Sequence, residues 1–340
     1  SKVDSFTVKS ELDSTVVFKN KRFENGLYQI DVEFDKYKLC QNFIIGDYDS
    51  IFKESFCTKT NLKNTFELKA YQTRYQYING FKLKLKPYKS EHNHWDRNKI
   101  MLVECLKNFN TSKKNNHGFT IRSYVSNIDS STQQYYFYVP KKFDNSRQKM
   151  PLVVILPYDI SPPLVPFLES FYMSNINQYS IDSRFADSLG FALFYPFMRS
   201  FEKQSEKSFI DFFESYNDVK KKYNIDSNYV YGVGGCGAGR RVLEVLIKKP
   251  NLFKGVALVG PLITPYIKKN ILKLPYIPYY IQHSRVDKVV PIESSISIVQ
   301  ELKDLRHNVI FEKTEVGGHS IQFEDNFRNG FVFLNNLKLE

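Results

Sequence analysis

The stretch VYGVGGCGAGRRVLEVL, Val230 to Leu246, reads as a strand, a glycine-crowded turn and a helix, with Cys236 at the apex. A nucleophile held up at so sharp a turn needs nearly side-chain-free residues two positions before it and two after. Gly234 and Ala238 occupy those positions, so GGCGAG fits a G-x-nucleophile-x-G elbow with Ala for the last Gly and Cys for the Ser. A helix start beyond the turn lowers a thiol pKa and offers backbone N–H groups, that of Gly237 first, to an oxyanion. The same glycines would also suit a phosphate-holding turn or a merely close-packed one. A dinucleotide site is disfavoured, because the turn follows a late strand and no acidic residue closes a second strand about twenty residues on.

Two further residues give the cysteine its chemistry. In IQHSRVDKVVPIESS a strand ends near His283 and the following loop carries Asp287. After the next strand, EVGGHSI presents His319 on a Gly-Gly-His turn. Taken singly, Asp287 reads equally well as a helix-start carboxylate and His319 as an ordinary loop histidine. Together the three residues follow the order nucleophile, acid, base. His319 would take the thiol proton and return it to the leaving group, and Asp287 would fix its tautomer and stabilise the imidazolium. No cofactor motif is read. His92 and His94 in SEHNHWD lack a third ligand nearby, and no CxxC pair occurs among Cys40, Cys57, Cys105 and Cys236, so no metal site is expected. A Cys40–Cys57 disulfide is the pairing open to an exported chain.

These residues need a sheet to hold them, and from Gly118 onward the pattern supplies one. FTIRSYVS and YYFYVP read as strands joined by a polar turn, and PLVVILP as a strand buried on both faces. SRFADSLG reads as a helix ending in Gly, FALFYP as a strand, and SFIDFFESYNDVKKKYNI as a helix striped with Phe209, Phe212, Phe213, Tyr216 and Val219. YVYGVG, a helix from Ala238, GVALVG, YYIQHS, a helix from Ile292, NVIFEKTE and a final helix continue the alternation. This is the grammar of a doubly wound, mostly parallel α/β sheet, whose strand ends bring the three loops to one edge. Residues 1–90 differ: FTVKS, STVVFKN, GLYQIDVEF, NFIIGDYDSIF, NTFELKAYQTRYQY and FKLKLKPY alternate at period two, which predicts a small antiparallel β-sandwich. Residues 91–117 read as a helix, DRNKIMLVECLKNF, and a linker, with the α/β domain at 118–340.

Residues 118–340 resemble an α/β-hydrolase of the esterase, polyhydroxybutyrate-depolymerase-like and prolyl-oligopeptidase-like branch. The resemblance rests on RSYVSNIDSSTQQYYFYVPKKFDNSRQKMPLVVILP for the first strands, KKYNIDSNYVYGVGGCGAG for the approach to the elbow, and HSRVDKVVP and GGHSI for the acid and base loops. A β-sandwich ahead of such a domain also resembles esterases with an immunoglobulin-like N-terminal domain. The resemblance implies a catalytic triad of Cys236, Asp287 and His319 with the Gly237 amide in the oxyanion hole. Two departures stand out. The family's usual nucleophile is Ser, cysteine occurring in dienelactone-hydrolase-like relatives. The His-Gly expected after PLVVILP, source of a second oxyanion amide, is replaced by YDISPP. Prolyl oligopeptidases complete the hole with a tyrosine hydroxyl, which makes Tyr158 either that donor or a plain strand cap.

The composition bounds the partners. The chain has 340 residues and a net charge of +12, with 42% hydrophobic and 25% charged residues. That is a globular composition, and no apolar run reaches 18 residues, so no transmembrane segment is read. The positive charge is either a lysine-rich surface or an attraction to an acidic glycan or anionic surface; the basic runs are too short, and too poor in aromatics, for nucleic acid. The start SKVDSF, without Met or an apolar leader, fits an exported mature form, the other reading being cytoplasmic. The oligomeric state is not legible. The expected activity is hydrolysis of an acyl ester or thioester through an acyl-enzyme. The alternatives are a peptidase and a catalytically weak or inactive hydrolase-like binding protein.

Overall fold

A computed structural model describes residues 26–34, 37–45, 47, 50–51, 117–144, 147–157, 185–198, 206–315, 318–319 and 323–339. Ten strands are described: β1 Gly26–Phe34, β2 Tyr37–Ile45, β3 Gly118–Val125, β4 Thr132–Val139, β5 Met150–Ile155, β6 Ala192–Pro196, β7 Ile225–Gly235, β8 Val256–Val259, β9 Tyr279–Ser284 and β10 Val309–Thr314. The α-helices are α1 Glu206–Lys222, α2 Cys236–Lys248, α3 Pro265–Lys269, α4 Ile292–Asp304 and α5 Phe323–Leu339, and residues 185–189 are helical as well.

Eight strands form one sheet in the order β10-β9-β8-β7-β5-β6-β4-β3. The hairpin β3–β4 is antiparallel, β4 lies antiparallel to β6, and β5 to β10 all run parallel. The physical reason is visible in β5. Every residue of MPLVVI is buried. Leu152 and Val154 enter one core, while Val153 and Ile155 enter the other. A strand covered on both faces has no solvent side, so its apolar residues need not alternate with polar ones. The first core is closed by Phe209, Phe212, Tyr216 and Val219 of α1, with Val242 and Leu246 of α2 and Ile298 and Leu302 of α4. The second is closed by Phe331 and Leu334 of α5 and by Ala186, with Ile51 joining it. The doubly wound α/β sheet expected from the sequence is therefore present.

The connection from β5 to β6 runs one way along the sheet and that from β7 to β8 the other. The order thus reverses between β5 and β7, the place in an open sheet where a crevice forms beyond the carboxyl ends. Cys236 follows β7 directly at that point.

Two local expectations change. The strand expected over NFIIGDYDSIF stops at Ile45, and Ser50 and Ile51 are helical. Asp47 ends the strand reading by capping: its Oδ2 accepts from the Ser50 amide at 3.0 Å and the Ser50 hydroxyl at 2.6 Å. The helix expected from Ala238 opens two residues earlier, at Cys236. β1 and β2 pair antiparallel from Gly26↔Ile45 to Phe34↔Tyr37. The remaining strands of the expected sandwich, Cys57, Cys105, His92 and His94 lie outside the described residues.

Phe212 is wholly buried and touches the rings of Phe194, Phe213 and Tyr216. Phe212→Ala is expected to cost about 3–5 kcal/mol in urea unfolding, against less than about 0.5 kcal/mol for Lys221→Ala on the exposed side of the same helix.

Candidate active site

The elbow is built by one close approach. A Cβ on Gly234 would lie 2.6 Å from the carbonyl carbon and oxygen of Ala238 and 2.8 Å from the Gly239 nitrogen. Only glycine lets the strand end and the first helical turn meet at that distance. The residue between them is forced into the left-handed region, and Cys236 has φ +48°. A non-glycine residue there is strained, and such strain persists only where the surroundings impose it. Gly235, extended at φ −113° and ψ 157°, is the helix N-cap, and Cys236 and Gly237 begin the helix. The Gly237 amide belongs to the first turn, whose N–H groups have no partner within the helix. Cys236 is partly exposed and is not in a disulfide.

Asp287 and His319 meet two strands away. His319 Nδ1 lies 2.8 Å from Asp287 Oδ2, with side chains only 9% and 3% exposed. Because the carboxylate accepts, Nδ1 carries the proton and Nε2 is the basic nitrogen. The other oxygen, Oδ1, accepts from the amides of Val289 at 2.8 Å and Val290 at 2.9 Å. Burial of Asp287 opposes its charge. The bond from His319 and the two amides outweigh that and hold the carboxyl below the usual carboxylate range. The loop is braced on both sides: Arg285 N–H donates to Thr314 O at 2.8 Å and Val286 N–H to Ser284 Oγ at 3.2 Å.

Three residues of the loop after β8, Gly260 to Leu262, tie the elbow to this pair. At one end the Leu262 amide donates to Cys236 O at 3.0 Å. At the other, Gly260 sits at φ +50°, where a Cβ would stand 3.5 Å from Asp287 Oδ2 and 3.7 Å from His283 Nε2. Two peptide units span at most about 7.6 Å between Cα atoms, so the thiol-bearing turn and the carboxylate–imidazole pair share one corner of the sheet edge.

The sequence reading missed His283. It lies on β9 with its side chain fully buried, its Nδ1 2.7 Å from Ser295 Oγ and its Nε2 2.9 Å from Val290 O. Nε2 is also 3.4 Å from Asp287 Oδ2. Burial lowers its pKa against the pull of Val290 O and of Asp287. The signal was present as a histidine four residues before the acid, but it reads as a strand terminus until tertiary structure adds Ser295. Tyr158 lies outside the described residues. Among the described residues no group of three or more His, Cys, Asp or Glu side chains could hold a metal, and no helix is long and apolar enough to cross a membrane.

No protein-family model matches the chain, and no curated protein matches its sequence. Solved structures do match. FphF, a fluorophosphonate-binding serine hydrolase of Staphylococcus aureus determined with substrate bound, aligns at TM-score 0.52 and 13% identity, over 64% of this chain and 98% of its own. The S-formylglutathione hydrolase FrmB of Staphylococcus aureus aligns at 0.52 and 12%, over 64% and 96%. A ferulic acid esterase aligns at 0.51 and 13%, over 64% and 97%. The fold is that of the α/β-hydrolases. At these identities the likeness speaks for the architecture alone.

Two predictions follow from the site's packing and charge. Gly234→Ala is expected to destabilise the protein by about 1–3 kcal/mol, because Ala238 backbone cannot retreat without unwinding the helix start; chemical denaturation reads this. Asp287 and His283 both release protons more readily in the folded than in the unfolded state. The unfolded chain therefore binds more protons as pH falls, and stability drops on the acid side. The His283 part opens below pH ~6.5 and the Asp287 part below pH ~4. His307, also lowered by burial and stacked on Tyr276 at 4.4 Å, adds to the first window. In thermal unfolding at stepped pH, His283→Gln is expected to flatten part of the decline between pH 6.5 and 5, and Asp287→Asn the decline below 4.

Proposed function

We propose that this protein hydrolyses acyl esters or thioesters with Cys236 as nucleophile, His319 as general base and acid, and Asp287 as the carboxylate that orients His319. The observation that carries the reading is Cys236 at φ +48° on a strand-to-helix elbow, beside a 2.8 Å Asp287–His319 pair at the same sheet edge. The α/β-hydrolase fold is consistent with it, and so are the ester- and thioester-cleaving activities named for FrmB and the ferulic acid esterase.

In this reading His319 Nε2 takes the Cys236 proton as sulfur bonds to the carbonyl carbon. The carbonyl π electrons move to oxygen, and the oxyanion is met by the Gly237 amide. Collapse breaks the bond to the alcohol or thiol, which leaves with the proton from His319. Water then gives a proton to His319 and attacks the thioester, and Cys236 departs as the carboxylic acid forms. The imidazolium that appears twice faces the Asp287 charge, which is already ionised and fixed by two amides. Thiolates suit activated esters, thioesters and lactones better than amides, so these define the substrate screen.

The test is iodoacetamide labelling of Cys236 against pH, read by mass spectrometry, with turnover of activated esters and thioesters measured alongside. The parent is expected to alkylate with an apparent pKa below ~8.5 and to accumulate a thioester-linked acyl mass. His319→Ala is expected to lose that reactivity and about 10²–10⁴ in turnover. Labelling indifferent to His319→Ala, with no acyl adduct, would sink the reading.

A further inference from the structure

We propose that His283 is a positioning residue for Asp287, holding the carboxylate through a closed hydrogen-bond ring so that its charge serves His319 alone. The inference rests on the functional reading above for its role in turnover, but its geometry stands independently.

The ring has three members. Val290 donates its amide to Asp287 Oδ1 at 2.9 Å. His283 Nε2 lies 2.9 Å from the carbonyl oxygen of the same Val290. The same nitrogen lies 3.4 Å from Asp287 Oδ2, which closes the circuit. Carbonyl and carboxylate oxygens only accept, so one Nε2 proton is shared between them. The opposite tautomer would aim a lone pair at two oxygens. Those acceptors exclude it, and the Ser295 hydroxyl, 2.7 Å from Nδ1, then donates to the bare nitrogen of the neutral ring. Ser295 and the His283 side chain are both 0% exposed, so water cannot replace either partner.

The neutrality of His283 matters as much as its place. A cation 3.4 Å from Oδ2 would compete with the His319 imidazolium for one carboxylate. A neutral N–H instead fixes the oxygen and leaves its charge uncompensated. Gly260, at φ +50°, turns the chain beside the pair at the end of β8, where a Cβ would be in ordinary contact with Oδ2 at 3.5 Å. The ring also joins β9 to α4 through Ser295, so the acid loop is tied at a point on the sheet and a point on a helix.

The test compares the full-length parent with His283→Leu, His283→Gln and Ser295→Ala by NMR of ¹⁵N-labelled histidines, following the low-field Nδ1–H proton of His319. His283→Leu, with no donor, is expected to lose that resonance through exchange with water. His283→Gln, whose amide N–H replaces Nε2–H, is expected to keep it, and Ser295→Ala to broaden it. For a turned-over ester, His283→Leu and Ser295→Ala are expected to lower kcat by about tenfold with KM little changed, and His283→Gln to restore it. A His319 resonance unchanged in folded Ser295→Ala and His283→Leu overturns the proposal, whatever the activity. A resonance that responds as expected in a protein that turns over no acyl substrate upholds the positioning role and removes only the hydrolase reading.

Discussion

The close approach of Gly234 to Ala238 is the constraint on which the site depends. It is a backbone-to-backbone contact with no room for a side chain, and it leaves Cys236 no choice but a left-handed conformation. The strain is sustained because both flanks are rigid. β7 is hydrogen-bonded between β5 and β8, and α2 is buried along nearly its whole length. A strand in mid-sheet and a helix in the core cannot relax toward each other, so the turn between them absorbs the misfit. The Cys236 side chain is thereby held at the position where the order of the sheet reverses.

Asp287 and His319 are held by a different device. Nothing about Asp287 is strained; its loop is held by hydrogen bonds that satisfy every direction in which the carboxylate could turn. Two amides occupy one oxygen, and two imidazoles approach the other. Such a carboxylate stays ionised though buried, because the donors offset the lost hydration. The imidazoles differ in depth: His283 is sealed in the core, while His319 lies at the edge beside the elbow's corner. Depth decides which one is a fixed donor and which can exchange a proton.

Much of this was legible in the sequence because it depends on local pattern. PLVVILP is apolar throughout since both of its faces are covered, and the Phe209–Val219 stripe marks the buried side of α1. Gly234 and Ala238 mark a sharp strand-to-helix turn because only small residues let the two segments approach so closely. What was not legible depends on partners far apart in the chain. His283 and Ser295 are 12 residues apart on a strand and a helix, and nothing in either segment states that they touch. The strand over NFIIGDYDSIF was misread at its end because Asp47 caps the following turn, and a capping carboxylate in an apolar run looks like an ordinary polar position of a strand.

The placement of α5 bears on the order in which the chemistry appears. His319 is the last of the site residues along the chain, and the helix that follows it packs through Phe331 and Leu334 on the face of the sheet opposite α2. A ribosome delivers Cys236 first, Asp287 some fifty residues later and His319 only after β10. A nascent chain ending short of His319 therefore holds the Cys236 thiol on a strained turn without the imidazole of that corner. Synthesis from one end thus completes the corner of Cys236, Asp287 and His319 late.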